Sequence, residues 1–216
     1  MKKILILGAT GRTGLHLTQI ALDRGYEVTI LVRNPNKVIF NSKNLKTIKG
    51  DVLNYEDVSK SCKNQDAVLS ALGKDRKKIE VLTEGTKNII QAMKQNKVNH
   101  FICMSSTGAG SSKKSFGLIF HIMLLIIGLK RSFVAKEIQE KMLYESGISF
   151  SLILAGTLTN KNITDISKLN SIESKYLKSK FSISPGKLSR IQVAMFMLEE
   201  LERLHWKNKS VCIYQT

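Results

Sequence analysis

Near the start of the chain three glycines fall at intervals of three, in the run Gly8-Ala9-Thr10-Gly11-Arg12-Thr13-Gly14. The apolar segment KILIL, of strand type, precedes the run, and a pattern of helical period follows it. Glycine at these positions permits a tight turn, a close approach of backbone to a ligand, and close packing of helix on strand. Such a turn points the first N–H groups of a helix, and the positive end of its dipole, at a phosphate. Gly8, Thr10, Gly11, Arg12, Thr13 and Gly14 are therefore candidates for holding the pyrophosphate of a dinucleotide.

The choice of dinucleotide falls to the end of the second strand. An acidic residue there would hold the ribose 2′-hydroxyl of NAD. This chain has Arg33 instead, nineteen residues after Gly14, followed by Asn34-Pro35-Asn36-Lys37. Cations at Arg33 and Lys37 attract a 2′-phosphate, and Arg12 adds charge from the glycine loop, so the cofactor expected is NADP(H). Ligands of open parallel sheets bind at the carboxyl ends of the strands. That places Asp51-Val52 at the adenine, Leu72-Gly73 at the middle of the cofactor, and Met104-Ser105-Ser106 beside the nicotinamide.

The elements that must position these residues alternate in type. Strands are expected at 3–8, 27–32, 46–49, 67–72, 99–105, 149–154 and 210–214, and helices near 13–24, 55–63, 80–96, 134–146 and 187–203. Near-continuous apolar strands such as ILIL and AVLSAL imply burial on both faces, as in a parallel sheet. The expected fold class is α/β: a single Rossmann-like, doubly wound parallel β-sheet with helices on both faces, forming one domain over 1–216. Residues 116–129, FGLIFHIMLLIIGL, stand apart, with basic pairs on either side (Lys113-Lys114 and Lys130-Arg131). At 14 residues they are too short to span a bilayer. They form either a buried or pocket-lining helix, or an interfacial helix on anionic lipid. The Gly/Ser-rich loop Gly108–Ser115 before them is expected to be mobile.

Composition narrows the function. The 216 residues are 43% hydrophobic and 24% charged, as in folded soluble chains, which excludes disorder as the main state. The net charge of +17 is spread evenly, with 18 basic and 9 acidic residues in 1–108 against 16 and 8 in 109–216. Lys outnumbers Arg 27 to 7, which speaks against reading of nucleic acid. Cys62, Cys103 and Cys212 are far apart and the four histidines scattered, so no metal site is expected. Reduced thiols fit a cytoplasmic location. The N-terminal apolar run stops at Gly8, too early for a signal peptide.

The segments GATGRTG, RGYEVTILVRNPNK, KGDVLNYEDVSKSCKNQDAVLSALG and EGTKNIIQAMKQNKVNHFICMSS resemble the atypical, NmrA-like short-chain dehydrogenase/reductase family. The likeness is strongest to its biliverdin reductase B and NADPH-dependent flavin reductase group. It resumes at 140–150 and 188–198. The resemblance implies a monomeric NADPH-binding domain with a shallow site that reduces flavins or linear tetrapyrroles. It assigns the phosphate loop to Gly8–Gly14, the 2′-phosphate to Arg33, and adenine and ribose contacts to Asp51-Val52 and Leu72-Gly73. Ser106 matches the serine that orients substrate or relays a proton. Ala155-Gly156-Thr157 stands where the group has Pro-Pro-His, so Ala155 and Thr157 fall at the cofactor and Thr157 replaces the active-site histidine. That departure weighs against biliverdin and affects flavin or quinone reduction less. The segment 108–133 also departs, as a longer apolar insert near the substrate side.

The proton-donating Tyr-x-x-x-Lys of typical members is missing: Lys136 falls near the lysine position, but Ser132 stands four residues before it. Tyr176 and Lys180 have the spacing far from Ser106, a coincidence. Two functions stay open. One is an NADPH-dependent reductase passing hydride to a flat conjugated acceptor such as a flavin, quinone or biliverdin-like tetrapyrrole. The other is a non-catalytic NADP(H) sensor or assembly factor using the apolar helix as a partner or membrane contact.

Overall fold

At the middle of the structure, a computed structural model, runs the strand β1 (Lys3–Leu7), whose last four residues are all fully buried. The described residues are 2–73, 79–177 and 186–215. β1 pairs in parallel with β2 (Glu27–Val32) on one side and β4 (Ala67–Ser70) on the other, Ile4 lying opposite Val28 and Ala67. The two sides of β1 carry different helices because side chains alternate along a strand. Ile4 and Ile6 face α1 (Arg12–Asp23) and α6 (Arg190–Arg203), through Leu17, Ala21, Val193 and Met197. Leu5 and Leu7 face α2 (Tyr55–Cys62), α3 (Glu80–Gln95) and α5 (Lys130–Glu145), through Val58, Ile89, Met93 and Leu143.

Parallel pairing extends outward to β3 (Leu45–Lys49), β5 (His100–Ser106), β6 (Phe150–Ala155) and β10 (Lys209–Gln215), and an antiparallel edge strand β8 (Leu169–Glu173) closes the far side. The order is β3-β2-β1-β4-β5-β6-β10-β8, which is the doubly wound α/β arrangement the sequence implies. The order reverses between β1 and β4, so a crevice opens at their carboxyl ends, where the glycine run and Leu72-Gly73 lie.

Two departures from the sequence expectation have local causes. The helix expected from residue 187 starts at Arg190, because Lys187–Ser189 form a short strand β9 paired with β7 (Thr157–Thr159). Ser189 then caps α6: its hydroxyl accepts from Gln192 N at 3.1 Å, and Ser189 N donates to Gln192 Oε1 at 3.0 Å. The helix expected from 134 begins at Lys130, one turn earlier. The Gly/Ser-rich loop before the apolar stretch forms a 3-10 turn over Gly110–Ser115, where Ser111 N donates to the Glu140 carboxylate at 3.1 Å and Gly108 N to Ser112 Oγ at 2.8 Å. Lys180, of the Tyr176 spacing, lies outside the described residues.

The apolar stretch folds as α4 (Leu118–Ile126), ended by Gly128 at φ +67°. α4 meets α5 at 117°, and no single helix among the described residues is long and apolar enough to cross a membrane. Only Phe120 and Leu124 of α4 are buried. Cys62, Cys103 and Cys212 are all buried and free, and burial pushes each thiol up to about 12.

Candidate functional site

Gly8 leaves β1 with φ +81°, a left-handed conformation that side chains rarely adopt. Gly11 N donates back to Gly8 O at 2.9 Å, and the chain turns directly into α1. Gly14 lies so close to this turn that a Cβ would stand 2.0 Å from Gly8 O. The first and last glycines thus set turn and packing, and the N-cap, Gly11, has no side chain to occupy the helix terminus. The first turn of α1 also contains no acidic residue, so its N–H groups and dipole are available to an external anion.

These atoms form one wall of a groove of about 590 Å³ at the carboxyl edge of the sheet. Gly8, Thr10, Gly11, Arg12 and Thr13 line it, as do Arg33 and Lys37 beyond β2, Asp51 and Val52 beyond β3, Leu72 and Gly73 beyond β4, and Met104 on β5. Asp51 is also anchored locally, its carboxylate accepting from Leu53 N at 3.1 Å. Open space lies where a Gly73 Cβ would be. Gly14 stands behind the turn rather than on the groove. Ser105 and Ala155 are buried and do not line it, the half-buried Ser106 lies past Met104 and off its wall, and Thr157 is exposed on β7 outside it.

Val81, Leu158 and Arg190 also line the wall, and no motif marks them. Arg190 is the first residue of α6. Its guanidinium donates to Asn160 Oδ1 at 2.6 Å and feels both burial and the repulsion of Arg12 across the groove. The run Ser189-Arg190-Ile191-Gln192 is a readable capping box, and that signal could have placed Arg190 at a helix start facing the strand ends.

Ser106 ends β5, opposite Ala155 in register and two residues beyond Met104. Lys136, from α5, donates from Nζ to Ser106 Oγ. Burial pushes this ammonium down to about 8, partly offset by Cys103 nearby. Ser132, one turn earlier on α5, is buried where a tyrosine would complete the familiar triplet. Lys136 thus holds the lysine place without the tyrosine, and its contact is to Ser106, a pairing that spacing alone did not show.

A glycine-cradled groove at the reversal point of a doubly wound sheet, with cations at the far end of its second strand, defines a Rossmann-type dinucleotide-binding protein. The chain belongs to the NAD(P)H-binding family, whose model matches residues 8–203. Among curated relatives it is similar to protein TIC 62, chloroplastic, of Pisum sativum, with 26% identity over 90% of this chain and 39% of that protein. The photosystem II assembly factor Ycf39 of Cyanophora paradoxa is 30% identical over 69% of this chain and 43% of its own length. The chain therefore spans well under two thirds of both.

Solved structures share the fold at low identity. The oxidoreductase ylbE of Lactococcus lactis gives a TM-score of 0.83 with 23% identity, covering 99% of this chain and 91% of that one. The anaerobillin reductase ChuY of Escherichia coli O157:H7 gives 0.80 with 16% identity, over 99% and 97%. A candidate NADH-flavin reductase of Streptococcus pneumoniae gives 0.76 with 18% identity, over 100% of both.

The groove fits the cofactor on its own geometry. A Cβ at Gly8 would stand 3.0 Å from the Ala71 carbonyl, and one at Gly14 would enter the turn itself, so the cradle exists only with glycine. Gly8–Thr13 would hold the pyrophosphate, Arg33 and Lys37 the adenosine end, and Leu72-Gly73 the middle.

Proposed function

We propose that the chain is an NADPH-dependent reductase that passes a hydride to a flat conjugated acceptor: a flavin, a quinone or a biliverdin-like tetrapyrrole. The Lys136–Ser106 pair at the end of β5 carries this reading. The bound dinucleotide supplies the hydride; the chain must orient the acceptor and provide a proton. Because Lys136 donates to Ser106 Oγ, the hydroxyl hydrogen of Ser106 is directed away from Lys136 and free to bond an acceptor carbonyl or ring nitrogen. As the acceptor gains hydride it takes that proton, and the Lys136 ammonium restores it to the serine, leaving a neutral amine that recovers its proton from water.

The specificity for NADPH is assigned to Arg33. Arg33→Ala is expected to weaken NADPH binding by about 10- to 100-fold, the worth of a charge-assisted contact, with NADH binding little changed. Fluorescence titration of both nucleotides reads this, and a parallel loss for NADH would remove the assignment. For the reaction itself, purified protein is mixed with NADPH and FMN, riboflavin, a quinone or biliverdin, following the loss of reduced-nicotinamide absorbance. Turnover is expected with at least one acceptor. Tight NADPH binding without turnover on any of them would instead favour a second reading, a non-catalytic NADP(H)-dependent assembly factor. The likeness to Ycf39 and the exposed apolar face of α4 support that alternative.

A further inference from the structure

A helix that is apolar all round is normally enclosed by protein or lipid. α4 is such a helix, its only polar side chain being His121, yet protein encloses just one edge of it. Phe120 and Leu124 reach the core, where Phe120 meets Phe116 at 4.5 Å and Phe133 at 5.9 Å between ring centroids. The opposite side leaves Leu118 75%, Ile119 74%, Leu125 59% and Ile126 78% exposed, and Ile127 extends this surface past the helix end. Contiguous exposed aliphatic area of this kind marks an interaction site.

The charge around the patch has one sign. Lys113 and Lys114 precede the helix and Lys130 and Arg131 follow it, all four exposed. From residue 85 to residue 136 the chain contains no Asp or Glu. The nearest following carboxylate, Glu137, is paired with Lys113 at 3.0 Å, which leaves Lys114, Lys130 and Arg131 uncompensated by their own segment. Apolar side chains flanked at both ends by cations match a bilayer surface, in which acyl chains lie beneath a layer of anionic headgroups. A helix of nine residues is far too short to span, and Lys113 and Lys130, one from each basic pair, line a cavity together with Ile122 and Leu125 of the helix.

We propose that α4 and its flanking cations dock the chain on an anionic lipid bilayer, with Leu118, Ile119, Leu125 and Ile126 entering the headgroup–acyl boundary. The proposal stands apart from the reductase reading, since α4 does not line the dinucleotide groove.

Co-sedimentation of the full chain with vesicles tests it, comparing phosphatidylcholine alone with phosphatidylcholine containing about a third phosphatidylglycerol. Binding is expected to the anionic vesicles only, and to weaken as salt is raised. Ile119→Glu with Ile126→Glu should reduce it by roughly tenfold or more, and Lys114→Glu with Arg131→Glu should do likewise. Both double variants should keep native NADPH affinity, which separates lost docking from lost folding. Absence of binding to anionic vesicles, equal binding to neutral ones, or indifference to the isoleucine changes would overturn the proposal. So would a dimer in sedimentation velocity that Ile119→Glu with Ile126→Glu converts to monomer, which would assign the face to a second copy.

Discussion

Gly14→Ala is expected to lower NADPH affinity by about 100-fold or more while costing about 1–3 kcal/mol of stability, as overpacking does. The new Cβ would lie 2.0 Å from Gly8 O, 2.7 Å from Gly8 C and 2.9 Å from Ala9 Cα. All three are backbone atoms, so no side chain can swing aside to relieve the contact. Either α1 moves off β1 or the turn at Gly8 opens. Both displace the helix terminus whose N–H groups must converge on the pyrophosphate, and the loss of two charge-assisted hydrogen bonds accounts for the size of the effect. Gly73→Ala is the control, since its Cβ would meet nothing within 4 Å and should leave the melting temperature unchanged. Fluorescence titration and thermal unfolding read the pair. A Gly14→Ala protein that binds NADPH like the native chain would show that the cradle does not depend on this packing.

Lys136→Met is expected to act in opposite directions on turnover and on stability. As donor behind Ser106, Lys136 is worth about 100-fold in rate or more, the usual scale for a positioned acid. Its pKa of about 8 means that the donating, protonated form is lost as pH rises through that value. Native turnover should therefore fall above about pH 8, and the methionine variant should lack that limb of the profile. The stability sign follows from the same shift. The folded pKa lies below the unfolded 10.5, so between these values the unfolded chain binds more protons and native stability rises with pH. Holding the charge buried at neutral pH costs about 3 kcal/mol, and Lys136→Met should recover much of it and raise the melting temperature there. Ser106→Ala should lower turnover without that gain. A methionine variant that is slower and also less stable at neutral pH would argue for a structural lysine.

The parallel strands were legible because a buried parallel strand announces itself as a short apolar run, and β1, β2 and β4 lie within two residues of where that pattern put them. β7, β8 and β9 were not, since three to five residues mixing Thr, Asn, Lys and Ser carry no period distinct from a loop. At the site, the glycine run could be read because its residue type is demanded by backbone geometry. Lys136 could be read only as a lysine lacking its tyrosine, and Arg190 only as a helix start, because their contacts at the site depend on helices from the second half of the chain arriving over the strand ends. α4 was legible as a helix, but its orientation was decided by which edge found partners, and only Phe120 and Leu124 did.

The three sealed cysteines set a limit on what the chain can perceive. A sulfur that oxidants are to read must be reached by them and must spend part of its time as thiolate. Cys62, Cys103 and Cys212 meet neither condition, each being buried with its acidity pushed far above neutral. The folded protein therefore offers peroxide and disulfides no accessible thiol. A dinucleotide held in the groove, reduced or oxidised, would bring redox chemistry to a chain whose own thiols are closed to it.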